Sequence, residues 1–173
     1  MRQGELLGLK WEDVDLGSGT VRVRRTLTLA RGSPRLTEPK TRGSRRSIAL
    51  TTSAAVALER HRERQEAERA AAGDKWREHG LVFPTRVGTP KRRDNLHDKS
   101  WKPLLRRAGL PHSTRFHDLR HTCATLLLTK GVHPKIVSEM LGHSSISITL
   151  DTYSHVIPGL GEAAASAMED ALS

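Results

Sequence analysis

The sequence has one cysteine, Cys123, so an intrachain disulfide and a multi-cysteine zinc cluster are both excluded, and a reducing, cytoplasmic setting is expected. Aromatic residues make up only 3% of the 173 residues, with a single tyrosine, Tyr153. Such scarcity argues against the stacking platforms on which single-stranded nucleic acids are bound. There is no apolar run of membrane-spanning length, no charged start followed by an apolar core as in a secretion signal, no internal repeat and no low-complexity linker. No membrane partner is expected.

What is abundant is positive charge. Lys and Arg number 29 against 19 Asp and Glu, a formal net charge of +10, and the basic residues recur along most of the chain. An acidic polymer is the natural partner, and backbone contact with double-stranded DNA fits better than base stacking. Charge alone also fits an Arg-biased surface or a ribosomal-type binder.

The length suits one domain with a real core. Residues 3–10 read as a helix with Leu6, Leu7 and Leu9 apolar and no N-cap ahead of it, which suggests N-terminal truncation. Thr20 to Leu29 alternates apolar or β-branched residues with Arg and Thr and predicts one strand. A turn at Gly32-Ser33-Pro34, a short strand at 35–37, the loop Lys40 to Gly43 and a strand at 44–50 complete a small sheet with many Arg side chains on one face. The expected helices run from a cap at Thr52 to Ala72, from Asn95 to Ala108, from His117 to Lys130, from Pro134 to Leu141 and from Glu162 to Leu172, with a short turn at 145–153. The fold class is therefore α+β, mainly α-helical, with helices packed around a small three-stranded antiparallel sheet.

His117 and Arg120 lie three apart, so on a helix they share a face, and an imidazole beside a guanidinium suits a phosphate. Leu141-Gly142-His143 then sets a histidine just past a helix end. Asp151-Thr152-Tyr153-Ser154-His155 follows, and its phenol could attack phosphorus or simply be a core aromatic with a bonded hydroxyl. Singly, Arg2 reads equally as a surface residue, Lys40 as a loop charge and His143 as a helix cap.

In this order the segments resemble the tyrosine recombinase (phage integrase) family. Arg2 to Leu9 with Trp11 to Asp15 is similar to its first arginine motif, and Pro39-Lys40-Thr41 with Ser44, Arg46 and Ile48 to its lysine hairpin. His117-Asp118-Leu119-Arg120-His121-Thr122 resembles the His-x-x-Arg box, Leu141-Gly142-His143 the second histidine, and Asp151 to His155 the nucleophile segment. The resemblance covers residues 2 to about 158.

That resemblance implies the DNA breaking-rejoining catalytic fold, and site-specific DNA recombination by transesterification through a 3′-phosphotyrosine, with no metal or other cofactor expected. Tyr153 would be the nucleophile and Arg2 and Arg120 the phosphate cations. Lys40 would protonate the leaving 5′-oxygen, His117 assist proton transfer at the tyrosine, and His143 hydrogen-bond the phosphate. Arg46 and Arg115 are expected to hold backbone phosphates, His121, Cys123 and His155 to be structural, with Cys123 a small buried hydrophobe.

Such domains carry one or two more helices and a separate core-binding domain before the first arginine, both missing from this sequence. They work as tetramers on two duplexes, with DNA-bending or directionality factors as further partners. The Ala164, Met168, Leu172 stripe of the last helix (160–173) would dock on a neighbouring protomer or fold back on its own core. The rival readings are a non-catalytic DNA-binding remnant and a type IB topoisomerase-like relaxase.

Overall fold

In the computed structural model, which describes residues 1–30, 32–38, 45–156 and 160–172, the chain divides into two units, Met1–Arg120 and His121–Ser173. The first opens on helix α1 (Gln3–Leu7), a 3-10 turn at Trp11–Asp13 and strand β1 (Val14–Asp15). The single strand expected over 20–29 is two strands, β2 (Thr20–Val23) and β3 (Thr26–Ala30). The break is electrostatic. Asp13 is buried, and Arg24 and Arg25 both turn to it, Arg25 directly and Arg24 Nε at 3.6 Å. A buried carboxylate must be paired, so these two residues leave the ladder.

The outcome is two small sheets. Antiparallel β1, β2 and β5 (Arg46–Ala49) form the three-stranded one, with Val21 opposite Ile48 and Val23 opposite Arg46. β3 pairs separately with β4 (Ser33–Thr37) as a hairpin, Leu27 opposite Leu36. Thus Ser33 and Pro34, expected in the turn, belong to a strand. In β2 the period of two is kept: Val21 and Val23 are buried and Arg22 is exposed.

Helix α1 lies close on β3 because its glycines permit it. A Cβ at Gly4 would meet Thr26 Oγ1 at 2.6 Å and Leu27 O at 2.9 Å, and one at Gly8 would meet Leu27 N at 3.0 Å. Behind the sheet, Leu9, Val21 and Val82 form a core with Trp11, Leu58 and Phe83 against it. Residues 9–11 bond to 80–82, with Val82 N donating to Leu9 O at 2.9 Å and Trp11 N to Gly80 O at 2.9 Å.

Helix α2 (Thr52–Ala72) is capped by Thr51, one residue earlier than expected, whose Oγ1 accepts from Ala54 N at 3.2 Å. Most of it is exposed and charged, and besides Leu58 two polar side chains hold it. His61 stacks on Phe83 with Nε2 2.6 Å from Val82 O, and buried Gln65 donates to Leu81 O at 3.0 Å. The helix expected over 95–108 spans α3 (Arg93–Leu96), a π turn at His97–Trp101 and α4 (Lys102–Arg107). Trp101 anchors it, donating from Nε1 to Thr114 O at 2.9 Å and meeting Phe116 edge-to-face.

Helix α5 (Asp118–Thr129) runs from the end of the first unit into the second. Within the second unit Ala124 and Leu128 of α5 pack with Val137 and Leu141 of α6 (Pro134–Leu141) and with Tyr153 at the end of α7 (Ile146–Tyr153). The segment expected as a short turn is thus an eight-residue helix, started by Ser145, whose hydroxyl accepts from Ser147 N at 3.1 Å. Cys123 is exposed, not buried, because it shares the outer face of α5 with exposed Leu119 and Leu126. The last helix is α8 (Leu160–Leu172), with Met168 and Leu172 61% and 80% exposed; the side chain of Ala164 lies outside the described residues. Among the described residues no helix is long and apolar enough to cross a membrane.

Candidate functional site

In the first unit Arg2 is not loose. It stands at the N-cap of α1, and Glu5, one turn on, accepts its backbone N–H at 2.7 Å and its Nη1 at 3.1 Å. The expectation of an uncapped start is thereby corrected: the Glu5 carboxylate accepts the N-cap N–H of Arg2, the half of a capping box that a donor-only arginine allows. Glu5 is itself 4% exposed and receives both Nη atoms of Arg46, at 3.1 and 2.8 Å.

Burial by itself pushes the Glu5 carboxyl up; the bonds from Arg46 and from Arg2 N–H, with the Arg46 charge, outweigh it and hold the carboxyl below the ordinary glutamate range. Arg46, expected to hold a backbone phosphate, has this carboxylate as a partner. Its side chain is 6% exposed, in a two-pronged ion pair with Glu5, where it fixes the residue that fixes Arg2. Glu5 was missed because its main partner lies 41 residues away; the only local signal was its spacing of three from Arg2.

Beside this pair an open cleft of about 650 Å³ is lined by Arg22, Arg24, Arg25, Arg45 and Arg46, with Glu38 as its acidic member. The sheet itself does not carry the expected arginine face: Arg22 and Arg46 point to opposite faces of the ladder, and Arg24, Arg25 and Arg45 lie outside its strands. Lys40 lies outside the described residues. At the other end of the unit Asp118 opens α5 and takes Arg115 through its backbone N–H at 2.8 Å and its guanidinium at 2.9 and 3.1 Å. Arg115 stays 75% exposed. His117 is exposed and sits one residue before the helix, its carbonyl accepting from Arg120 N at 3.0 Å, while Arg120 is buried.

The second unit holds His143 and Tyr153. His143 follows Gly142, whose left-handed backbone (φ 69°) ends α6, and its N–H donates to Ser138 O at 3.0 Å. Its Nδ1 lies 2.8 Å from the hydroxyl of fully buried Thr149, which fixes the ring and leaves Nε2 on the opposite edge.

Tyr153 is 5% exposed, and its Oη lies 2.7 Å from Nδ1 of His121. His121, expected to pack as a structural residue, therefore touches the phenol oxygen. In this unit Thr149 and His121 are the residues sequence reasoning left out of the site. Both act through side-chain contacts whose partners no local motif indicates. Among the described residues no group of three or more His, Cys, Asp or Glu side chains could hold a metal ion.

The phage integrase family matches residues 1–158. A XerC-like tyrosine recombinase of Caldanaerobacter subterraneus subsp. tengcongensis is 43% identical over 170 residues, covering 91% of this chain and 43% of that protein. An integrase of Streptomyces ambofaciens is 37% identical over 157 residues, covering 88% of this chain and 40% of that protein. Among solved structures, the Tn1549 transposon integrase in complex with circular intermediate DNA superposes with a TM-score of 0.75 at 25% identity, covering 98% of this chain and 55% of that one. The chain spans less than half the length of these two curated relatives. On the family match over residues 1–158, the chain belongs to the phage integrase family.

Proposed function

We propose that the protein carries out site-specific recombination of double-stranded DNA, breaking and rejoining strands through a 3′-phosphotyrosyl link on Tyr153. The observation that carries this reading is the chain's only tyrosine, in a family match, with its Oη on an imidazole nitrogen. Oη attacks the scissile phosphorus and the 5′-oxygen leaves. The 5′-hydroxyl of a partner duplex then reverses the step. Bond energy is kept in the covalent link, so no ATP is consumed.

As phosphorus becomes five-coordinate, charge builds on its non-bridging oxygens, and fixed cations aimed there stabilise that state more than the substrate; one such donor is typically worth about 3 to 4 kcal/mol. Arg2 and Arg120 take this part, as the resemblance implies. The Glu5–Arg46 pair supports the reading for Arg2, because a guanidinium anchored by a buried carboxylate is preorganised. Thr149 gives His143 the same support by holding Nδ1, and His143 hydrogen-bonds the phosphate, as the resemblance implies. Lys40 serves as acid to the 5′-oxygen, and the resemblance gives His117 the assistance to proton transfer at the tyrosine. The arginine-lined cleft and exposed Arg115 hold flanking backbone phosphates.

Working as a tetramer on two duplexes, with α8 docked on a neighbour and accessory DNA-bending or directionality factors, follows from the same resemblance. Exposed Met168 and Leu172 supply an apolar face for that docking. The test is a duplex carrying a nick beside the cleavage site, which traps the protein–DNA adduct. A covalent adduct is expected, and none from Tyr153→Phe. Equal adduct from both would sink the reading.

A further inference from the structure

We infer that His121 is the proton partner of the Tyr153 nucleophile, its Nδ1 receiving the phenolic proton as Oη bonds to phosphorus. The inference rests on the recombinase reading and gives the role at the tyrosine to His121 instead of His117. Three observations carry it. The Oη to Nδ1 distance is 2.7 Å, in the range of a good hydrogen bond to oxygen. The two rings are tilted at 50° with centroids 5.8 Å apart, so they meet through the polar atoms and do not stack.

The third is burial. Tyr153 is 5% exposed and packs among Ala124, Leu128, Val137 and Leu141, which fixes the ring and so holds Oη against Nδ1. His121 lies three residues before Ala124 and seven before Leu128, on the stripe of α5 that faces this cluster. The helix that builds the core thus also aims the imidazole.

The step balances. At rest the proton stays on the phenol, a far weaker acid than an imidazolium. As the Oη–P bond forms, the oxygen loses its basicity, the O–H bond breaks and the proton passes to Nδ1. The P–O5′ bond breaks and the 5′-oxygen takes a proton from its own acid. On rejoining, each proton returns along the same path, and His121 hands its proton back to the departing tyrosine. Nδ1 can accept only if the resting imidazole is neutral with its hydrogen on Nε2.

Two measurements test this on the protein, and they fail separately. Nitrogen-15 spectra of the imidazoles should show His121 Nδ1 unprotonated, with a resonance that moves in Tyr153→Phe. In single-turnover adduct formation on the nicked duplex, His121→Asn offers an oxygen or nitrogen near the place of Nδ1 but cannot take up a proton. It should slow the step at least a hundredfold, as loss of a positioned base does, with DNA affinity unchanged. His121→Ala should be as slow, and recover with added imidazoles in the order of their basicity, an effect no packing role produces.

His121→Asn at the wild-type rate, or Nδ1 carrying hydrogen in the resting protein, would overturn the inference. A wild type that forms no adduct sinks the recombinase reading and with it the proton's purpose, while the nitrogen resonance still decides which way the bond runs.

Discussion

Replacing Glu5 by glutamine keeps the size of the side chain and removes its charge, and the structure says where the cost falls. Arg2 is 44% exposed at its side chain and can return to water. Arg46, at 6%, cannot; with its carboxylate gone it becomes a buried guanidinium facing an amide. Breaking a buried pair from one side costs about 3 to 5 kcal/mol, a large part of the roughly 5 to 15 kcal/mol that holds an ordinary domain.

The assay is direct, because Trp11, Trp76 and Trp101 all lie in the first unit, and urea unfolding followed by tryptophan fluorescence reports on it alone. Glu5→Gln should lower the melting temperature by roughly 10 °C. Glu5→Leu with Arg46→Met should recover much of the loss, since neither side is then left charged.

pH gives a second readout with a definite sign. The folded carboxyl is held below its ordinary range, so its contribution is complete above about pH 4.3, the ordinary glutamate value, and is lost as pH falls through the folded one. The wild type should therefore shed stability below about pH 4.3 more steeply than Glu5→Gln. A loss under about 1 kcal/mol, as for an exposed pair, or equal acid limbs in the two proteins, would refute the assignment of Glu5 as the buried anchor of Arg2.

Other outcomes follow from single contacts. Thr149→Val removes the hydroxyl at His143 Nδ1 and should slow adduct formation about tenfold, the worth of one hydrogen bond, with Thr149→Ser restoring it. Gly4→Ala forces a Cβ to within 2.6 Å of Thr26 Oγ1 and 2.9 Å of Leu27 O, so α1 must lift from β3; melting should fall, and DNA cleavage should fall further than Gln3→Ala makes it. Asp13→Asn releases Arg24 and Arg25, which are 52% and 25% exposed and regain water, so its cost in urea unfolding should be about 1 to 3 kcal/mol, below that of Glu5→Gln. Arg115→Ala should weaken binding to any duplex alike and reduce the slope of log affinity against log salt by about one, as measured by titration at several salt concentrations.

The sequence by itself determined whatever depends on near neighbours in the chain. Proline 134 starting α6, Gly142 ending it and the period of two in β2 are local effects, and they placed most elements within a few residues. The candidates Arg2, His117, Arg120, His143 and Tyr153 were legible only as an ordered set of short runs that resemble one family, since Arg2, His143 and Tyr153 taken singly also read as a surface, capping or core residue.

Only the tertiary structure decided the rest. One buried carboxylate, Asp13, drew two arginines out of a strand whose own pattern would have continued. The shared outer face of α5 put Cys123 in water. Glu5 and His121 gained their roles from partners 41 and 32 residues away. Burial is what makes those partners matter: a charge or a phenol removed from water must find its counterpart inside the fold, and chain spacing does not say which side chain that is.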